Sequence, residues 1–147
     1  MNDKDFMRLA IKKAESSNYP FGACVVRNGK ILSCESGKVF VDNDPTAHAE
    51  ILAIRKACKI YHGKEPANLG GATMYATTQP CPMCMVACYW AGIGKIIYGA
   101  NLSDWARVST WARELDPTGR LVKKIIGNKI KMQKGILYEE CRALFTR

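Results

Sequence analysis

Two short segments constrain this chain most, because their reactive side chains can act together only if the fold brings them to one place. The first segment is His48-Ala49-Glu50, and the second is Pro80-Cys81-Pro82-Met83-Cys84, whose first cysteine follows the histidine by 33 residues. Imidazole and thiolate groups are ligands that Zn²⁺ favours in proteins. The pair of segments therefore predicts a fold in which both meet at one metal ion.

The residue types predict a catalytic rather than a structural metal site. His48, Cys81 and Cys84 supply three ligands and leave a fourth tetrahedral position open for water, which distinguishes catalytic zinc sites. Two thiolates offset the charge of the ion, so the water needs a base, and Glu50 is the candidate proton carrier. The combination of H-x-E with P-C-x-x-C is the signature of zinc-dependent base deaminases, so we expect hydrolytic deamination with one zinc ion per chain.

Both segments are predicted to lie at helix starts. Asp44-Pro45-Thr46 precedes a run of apolar residues with helical spacing, which places His48 and Glu50 in a first turn. Residues two apart do not share a helix face, which suits one ligand beside one carboxylate that is not a ligand. Pro82 favours the first position of a second helix, and the amino end of that helix stabilises cysteine thiolates.

Other interpretations of the same residues remain open. Cys81-x-x-Cys84 alone also fits a redox pair or half of a structural zinc site. A structural site would take a fourth protein ligand, for which His62 or another cysteine is available. The order and separation of the two segments favour the catalytic interpretation.

Length and cysteine use predict one domain in a reducing compartment. The 147 residues suit a single domain spanning 1–147. No run approaches the roughly 20 apolar residues of a membrane span, and the first residues lack a signal-peptide pattern, so we expect a cytoplasmic protein without membrane contact. The seven cysteines are an odd number scattered through apolar segments. They predict reduced thiols, with Cys24 and Cys34 as core residues.

The positive charge is concentrated near the end of the chain. The formal net charge is +9, and residues 117–147 account for +6 of it, with eight Lys or Arg against two Glu. Such a segment suits contact with nucleic acid or a nucleotide phosphate, but dispersed cations equally suit a solvated face.

Strands alternate with helices along the chain. A first amphipathic helix ends near Asn18, a hairpin turns at Asn28-Gly29, strands are predicted at 73–77 and 95–98, and a last helix at 137–145. This alternation predicts the α/β class, as a three-layer α/β/α sandwich with a mixed central sheet. Residues 101–135 carry no clear pattern.

Four motifs give the chain a family resemblance. They are Pro20-Phe21-Gly22-Ala23, residues 43–50, Cys81-Pro82-Met83-Cys84 and Tyr89-Trp90-Ala91. With them the chain resembles the cytidine deaminase-like superfamily, and within it most of all bacterial guanine deaminases. The resemblance implies a zinc enzyme that acts on a small heterocycle, commonly as a homodimer. It also implies His48, Cys81 and Cys84 as ligands, Glu50 as the acid and base, and Phe21 in the base pocket.

The chain departs from these relatives at a pocket position. They carry an asparagine eleven residues before the zinc histidine, where it bonds the base, and this chain has Gly37. Losing a designed hydrogen bond changes how a site discriminates among substrates. Residues 135–144 are instead similar to the closing helix of tRNA adenosine deaminases.

Asp104 and Trp105 are our further candidates for substrate binding, since relatives close the pocket in this stretch. Trp105 and Trp111 also suit ordinary packing, and Asp116-Pro117-Thr118-Gly119 has the composition of a turn. Guanine is the first expected substrate. The alternatives are a tRNA adenosine deaminase, with tRNA as partner, a cytosine deaminase, and a zinc-stabilised RNA-binding module without turnover.

Overall fold

The computed structural model describes residues 1–109 and 114–147, so Trp111 lies outside the described residues. Its elements in chain order are α1 (Asp3–Glu15), β1 (Gly22–Arg27), β2 (Lys30–Ser36), α2 (Ala49–Ile60), β3 (Ala72–Thr78), α3 (Pro82–Trp90), β4 (Lys95–Ala100), α4 (Leu102–Val108), α5 (Arg120–Ile126), β5 (Lys131–Lys134), α6 (Tyr138–Ala143) and a 3₁₀ turn (Leu144–Thr146). The sheet order is β2-β1-β3-β4-β5. Strand β1 is antiparallel to β2 and β3, whereas β3, β4 and β5 are parallel.

The strands place side chains alternately on two faces, so the sheet serves two cores. Met74 and Ile96 face the core formed with α2, α3 and α5. Tyr75 and Ile97 face the opposite core, formed with α1 and α6. Burial of both faces produces the three layers and confirms the predicted α/β sandwich with a mixed sheet.

Two glycine positions show how sequence sets local structure. At the β1–β2 turn, Asn28 and Gly29 have φ of 50° and 72°, the left-handed pair that a two-residue hairpin turn requires. At Gly99 in β4, an added Cβ would overlap Cys141 Sγ of α6. Glycine there lets α6 lie directly on the strand.

One expectation about the cysteines is wrong. Cys24 and Cys34 lie opposite each other in the β1–β2 register and form a disulfide, with Cα atoms 4.1 Å apart. The spacing of ten residues carries no sign of this pairing, because only the strand register brings the two side chains together. Cys58, Cys81, Cys84, Cys88 and Cys141 are free thiols.

The stretch without a clear sequence pattern contains α4, α5 and β5. The Asp116 carboxylate accepts a hydrogen bond from the Val122 amide at 2.9 Å, and the Asp116 carbonyl accepts one from the Gly119 amide at 3.0 Å. Residues 116–119 thus form the turn into α5 that their composition predicts. Among the described residues, no helix is long and apolar enough to cross a membrane.

Candidate active site and metal centre

A cavity of about 530 Å³ opens where one set of strand ends of the sheet comes together. Strands β2, β3 and β4 end there, and the antiparallel strand β1 begins there. Residues next to all four strand ends therefore line the cavity: Phe21 before β1, Gly37 after β2, Gln79 after β3 and Leu102 after β4. Carboxyl ends of strands are the usual ligand sites of α/β sheets.

The two segments of reactive residues meet beside this cavity. His48 occupies the N-cap position of α2, Cys81 occupies the N-cap position of α3, and Cys84 lies in the first turn of α3. His48 Nδ1 lies 3.6 Å from the Sγ atoms of both Cys81 and Cys84. The three possible ligand atoms are all within 4.8 Å of one another, and His62 is not part of this group in the described chain.

The donor set fits a tetrahedral zinc ion. Zinc lies about 2.3 Å from a thiolate sulfur and about 2.1 Å from an imidazole nitrogen, so a tetrahedral angle separates the two ligand atoms by about 3.6 Å. The observed nitrogen-to-sulfur distances are also 3.6 Å. One imidazole and two thiols leave a fourth position for a non-protein ligand.

The three side chains influence one another's protonation. Contact with Cys84, and then with His48, lowers the pKa of the Cys81 thiol, while contact with Cys81 raises the pKa of His48. The same contact with Cys81, together with burial, raises the pKa of Cys84. Cys81 is thus the most acidic of the three groups, and metal binding would release the protons that the others retain.

Glu50 is a buried carboxyl group next to the cluster. It is 8% exposed, and its Oε2 lies 3.6 Å from Cys84 Sγ. Burial, followed by the charge of Cys81, raises the pKa of Glu50 to about 7. A carboxyl group that titrates near neutrality can accept and return a proton under ordinary conditions.

Aromatic side chains form much of the remaining wall. The ring of Phe21 packs edge-on against Trp105 with centroids 5.0 Å apart, and both residues line the cavity. Behind them Phe145 lies 5.3 Å from Trp105. The structure thus brings Phe21 and Trp105 to the same cavity as His48 and Glu50.

Asp104 lies elsewhere. It is not among the described residues that line the cavity. Its carboxylate instead caps α4 and accepts hydrogen bonds from the Asn101 amide at 3.0 Å and the Tyr138 hydroxyl at 2.9 Å. Besides Glu50, Glu114 contributes a carboxyl group to the cavity lining, and burial raises its pKa. The sequence alone did not indicate Glu114, because no pattern in the surrounding residues distinguishes it from acidic residues on the surface.

The chain belongs to the family described as the cytidine and deoxycytidylate deaminase zinc-binding region, which its residues 1–100 match. It is 40% identical over 111 residues to guanine deaminase of Bacillus subtilis (strain 168), covering 72% of this chain and 69% of that protein. It is 32% identical over 154 residues to the tRNA-specific adenosine deaminase of Buchnera aphidicola, covering 98% of this chain and 91% of that protein. The superfamily resemblance is thereby confirmed.

Solved structures include relatives of the same two kinds. The structure of Bacillus subtilis guanine deaminase superposes with a TM-score of 0.68 at 38% identity, covering 74% of this chain and 71% of that one. A structure from work on A-to-I editing by tRNA:A34 deaminases superposes with a TM-score of 0.78 at 28% identity, covering 95% and 98%.

Family and site together define the class of enzyme. The relatives support a hydrolytic deaminase that cleaves a carbon–nitrogen bond, rather than a binding module without turnover. The zinc-binding family and the His48, Cys81 and Cys84 cluster suit one zinc ion per chain. Guanine and tRNA adenosine deaminases are both among the relatives, so the substrate is a separate question.

Proposed function

We propose that residues 1–147 form a single deaminase domain that removes the exocyclic amine from a small planar heterocycle, with guanine as the first candidate. The observation that carries this proposal is the position of Glu50, buried 3.6 Å from Cys84 Sγ in a cavity walled by aromatic rings. His48, Cys81 and Cys84 are the proposed zinc ligands, and Glu50 is the proposed acid and base.

In the proposed mechanism the three ligands hold the metal and Glu50 transfers the protons. When bound, zinc supplies the Lewis acidity that activates a water molecule for attack on the amine-bearing carbon. Glu50 accepts the proton from that water and delivers it to the adjacent ring nitrogen, and a second transfer helps ammonia leave. The position of Glu50 supports this role, because its carboxyl group is buried beside the proposed ligands, with Oε2 3.6 Å from Cys84 Sγ.

Two features of the cavity support a free base such as guanine. Phe21 and Trp105 offer aromatic surfaces on which a planar ring can stack. Glu114 offers a carboxylate that accepts hydrogen bonds from ring N–H groups. Guanine carries such a group beside the amine that leaves, whereas the six-membered ring of adenine carries none.

A second candidate, a tRNA adenosine deaminase, is favoured by a different observation. The Buchnera enzyme matches 98% of this chain, whereas the guanine deaminase match covers 72%. The +6 charge of residues 117–147 also suits a phosphate backbone. Such an enzyme must draw the target base out of its stack into the cavity and would bind tRNA less tightly as salt increases.

An ammonia-release screen tests both candidates. Zinc-loaded protein is incubated with guanine, cytosine, adenine, their nucleosides and tRNA, alongside the Glu50→Ala variant and the surface control Glu15→Ala. We expect release from guanine by the unchanged protein and by Glu15→Ala, and none by Glu50→Ala with its zinc retained. Release from tRNA alone would favour the second candidate. Unchanged turnover by Glu50→Ala would remove Glu50 from the mechanism.

Homodimerisation and a cytoplasmic location stay predictions. The first is measured by sedimentation velocity of the zinc-loaded protein across a range of concentrations. We expect one species at twice the mass of the 147-residue chain. A single species at the mass of one chain would contradict the prediction. Cell fractionation measures the second prediction.

A further inference from the structure

One wall of the cavity is made by Tyr19 and Gly37 together. Both residues line it, and Gly37 follows the end of β2. A Cβ atom added at Gly37 would lie 3.1 Å from Cδ1 and 3.5 Å from Cγ of Tyr19. The first of these distances is shorter than ordinary van der Waals contact. The absence of a side chain at position 37 is therefore what lets the Tyr19 ring lie against the backbone.

The surrounding aromatic residues hold this ring in place. Tyr19 is 7% exposed, and its ring centroid lies 6.1 Å from that of Phe21 and 5.4 Å from that of Phe40. Its hydroxyl oxygen is completely buried, near the backbone of Phe40. The part of Tyr19 that faces the cavity is consequently the carbon surface of the ring.

We propose that Tyr19 is a substrate-binding residue, whose ring contacts the planar substrate at the place where a side chain at position 37 would otherwise reach. This inference rests on the proposed function, because it concerns the heterocycle in the same cavity. A carbon surface recognises a ring by shape and stacking. It therefore discriminates weakly between heterocycles of the same shape, whereas a wall that bonds a substrate N–H or OH rejects analogues that lack it.

The test compares three variants in zinc-loaded protein. Tyr19→Ala removes the ring, Tyr19→Phe removes the hydroxyl alone, and Gly37→Ala keeps the ring but forces it to move. The measurements are kcat and KM for guanine in each variant, and the dissociation constant of 8-azaguanine by calorimetry with Glu50→Gln added to each protein. The added change prevents turnover, because 8-azaguanine carries the same amine as guanine. Zinc content and thermal unfolding are recorded for every variant.

The expected results follow because the ring surface of Tyr19 makes the contact with the substrate. Tyr19→Ala should raise the KM for guanine and the dissociation constant of 8-azaguanine by about 5- to 160-fold, the range for losing a base–aromatic stack. Gly37→Ala should raise both by about 2- to 10-fold, since a displacement of a few tenths of an ångström costs less than a full misplacement. Tyr19→Phe should leave both within about 2-fold, because the hydroxyl faces away from the cavity.

Matched controls separate this role from general damage to the fold. Gly94→Ala adds the same methyl group where no atom lies within 4 Å. Tyr61→Ala removes a tyrosine ring that packs on Arg27 and lies outside the cavity lining. Neither control should change the affinity for 8-azaguanine. If Tyr19→Ala does not fold, Gly37→Ala still moves the ring in a chain that keeps it.

The outcomes distinguish this inference from the proposed function. Unchanged affinity in a folded Tyr19→Ala or Gly37→Ala variant, with guanine turnover intact, overturns the role of Tyr19 and leaves the function standing. Affinity that depends on Tyr19, without ammonia release from any heterocycle, overturns the function and leaves the contact standing. Failure of the Glu50→Gln protein with Tyr19 and Gly37 intact to bind 8-azaguanine overturns the proposed contact, whatever the ammonia screen gives.

Discussion

Replacing Glu50 with glutamine should abolish deamination and at the same time stabilise the metal-free fold. The carboxyl group is 8% exposed, and burial raises its pKa from the ordinary 4.5 to about 7. Each pKa unit corresponds to about 1.36 kcal/mol, so ionising Glu50 in the folded chain costs about 3 kcal/mol more than in the unfolded chain. Glutamine has nearly the same shape and never ionises.

The sign of the pH dependence follows from the direction of this pKa change. Because the pKa is higher in the folded state, the stability that Glu50 contributes is complete below its unfolded value of 4.5. It is lost as the pH rises through the folded value of about 7. The glutamine variant should therefore match the unchanged protein near pH 4.5 and exceed it increasingly up to about pH 8, where the difference approaches about 3 kcal/mol.

Urea unfolding of chelator-treated protein measures this difference between about pH 5 and about pH 8. Both proteins are kept free of metal, because a divalent cation beside Glu50 would favour its ionised form. Glu15→Gln, on the exposed surface of α1, is the control and should show no such trend. A stability difference that stays flat with pH would refute the reasoning, and so would a glutamine variant that is less stable at about pH 8.

Three further predictions concern other parts of the site. Cys84→Ser should lose most of its zinc, because a hydroxyl is a poor substitute for a thiolate. The control Cys58→Ser, which changes a free thiol elsewhere, should keep its zinc. Metal analysis measures both, and zinc retained by Cys84→Ser would contradict the ligand assignment. Trp105→Ala should lower the free energy of unfolding by about 3 kcal/mol, measured in urea, since a buried indole is removed; a loss below about 1 kcal/mol would contradict its packing role. Asp104→Asn should lower the free energy of unfolding by about 1 kcal/mol, because it weakens the cap of α4. It should leave kcat and KM unchanged. A large change in turnover would place Asp104 in the catalytic machinery.

Much of the fold was predictable because its signals are local. The turn at Asn28-Gly29 needs only two left-handed residues, and Pro82 favours a helix start because the first helical residue has no use for a backbone N–H. Strand β5 escaped prediction, since it is a short edge strand whose lysines face solvent and leave no apolar alternation. The Cys24–Cys34 pair also escaped, because it depends on the register between strands.

The residue types and their spacing by themselves determined the three metal-ligand candidates, His48, Cys81 and Cys84, and the adjacent carboxyl group of Glu50. These could be recognised because zinc affinity and helix capping depend on side-chain chemistry and near neighbours. Only the tertiary structure decided that Glu114 rather than Asp104 reaches the cavity, and that Gly37 makes room for Tyr19. Such a cavity is enclosed by side chains from four strand ends, and their positions are set by the packing of the whole sheet.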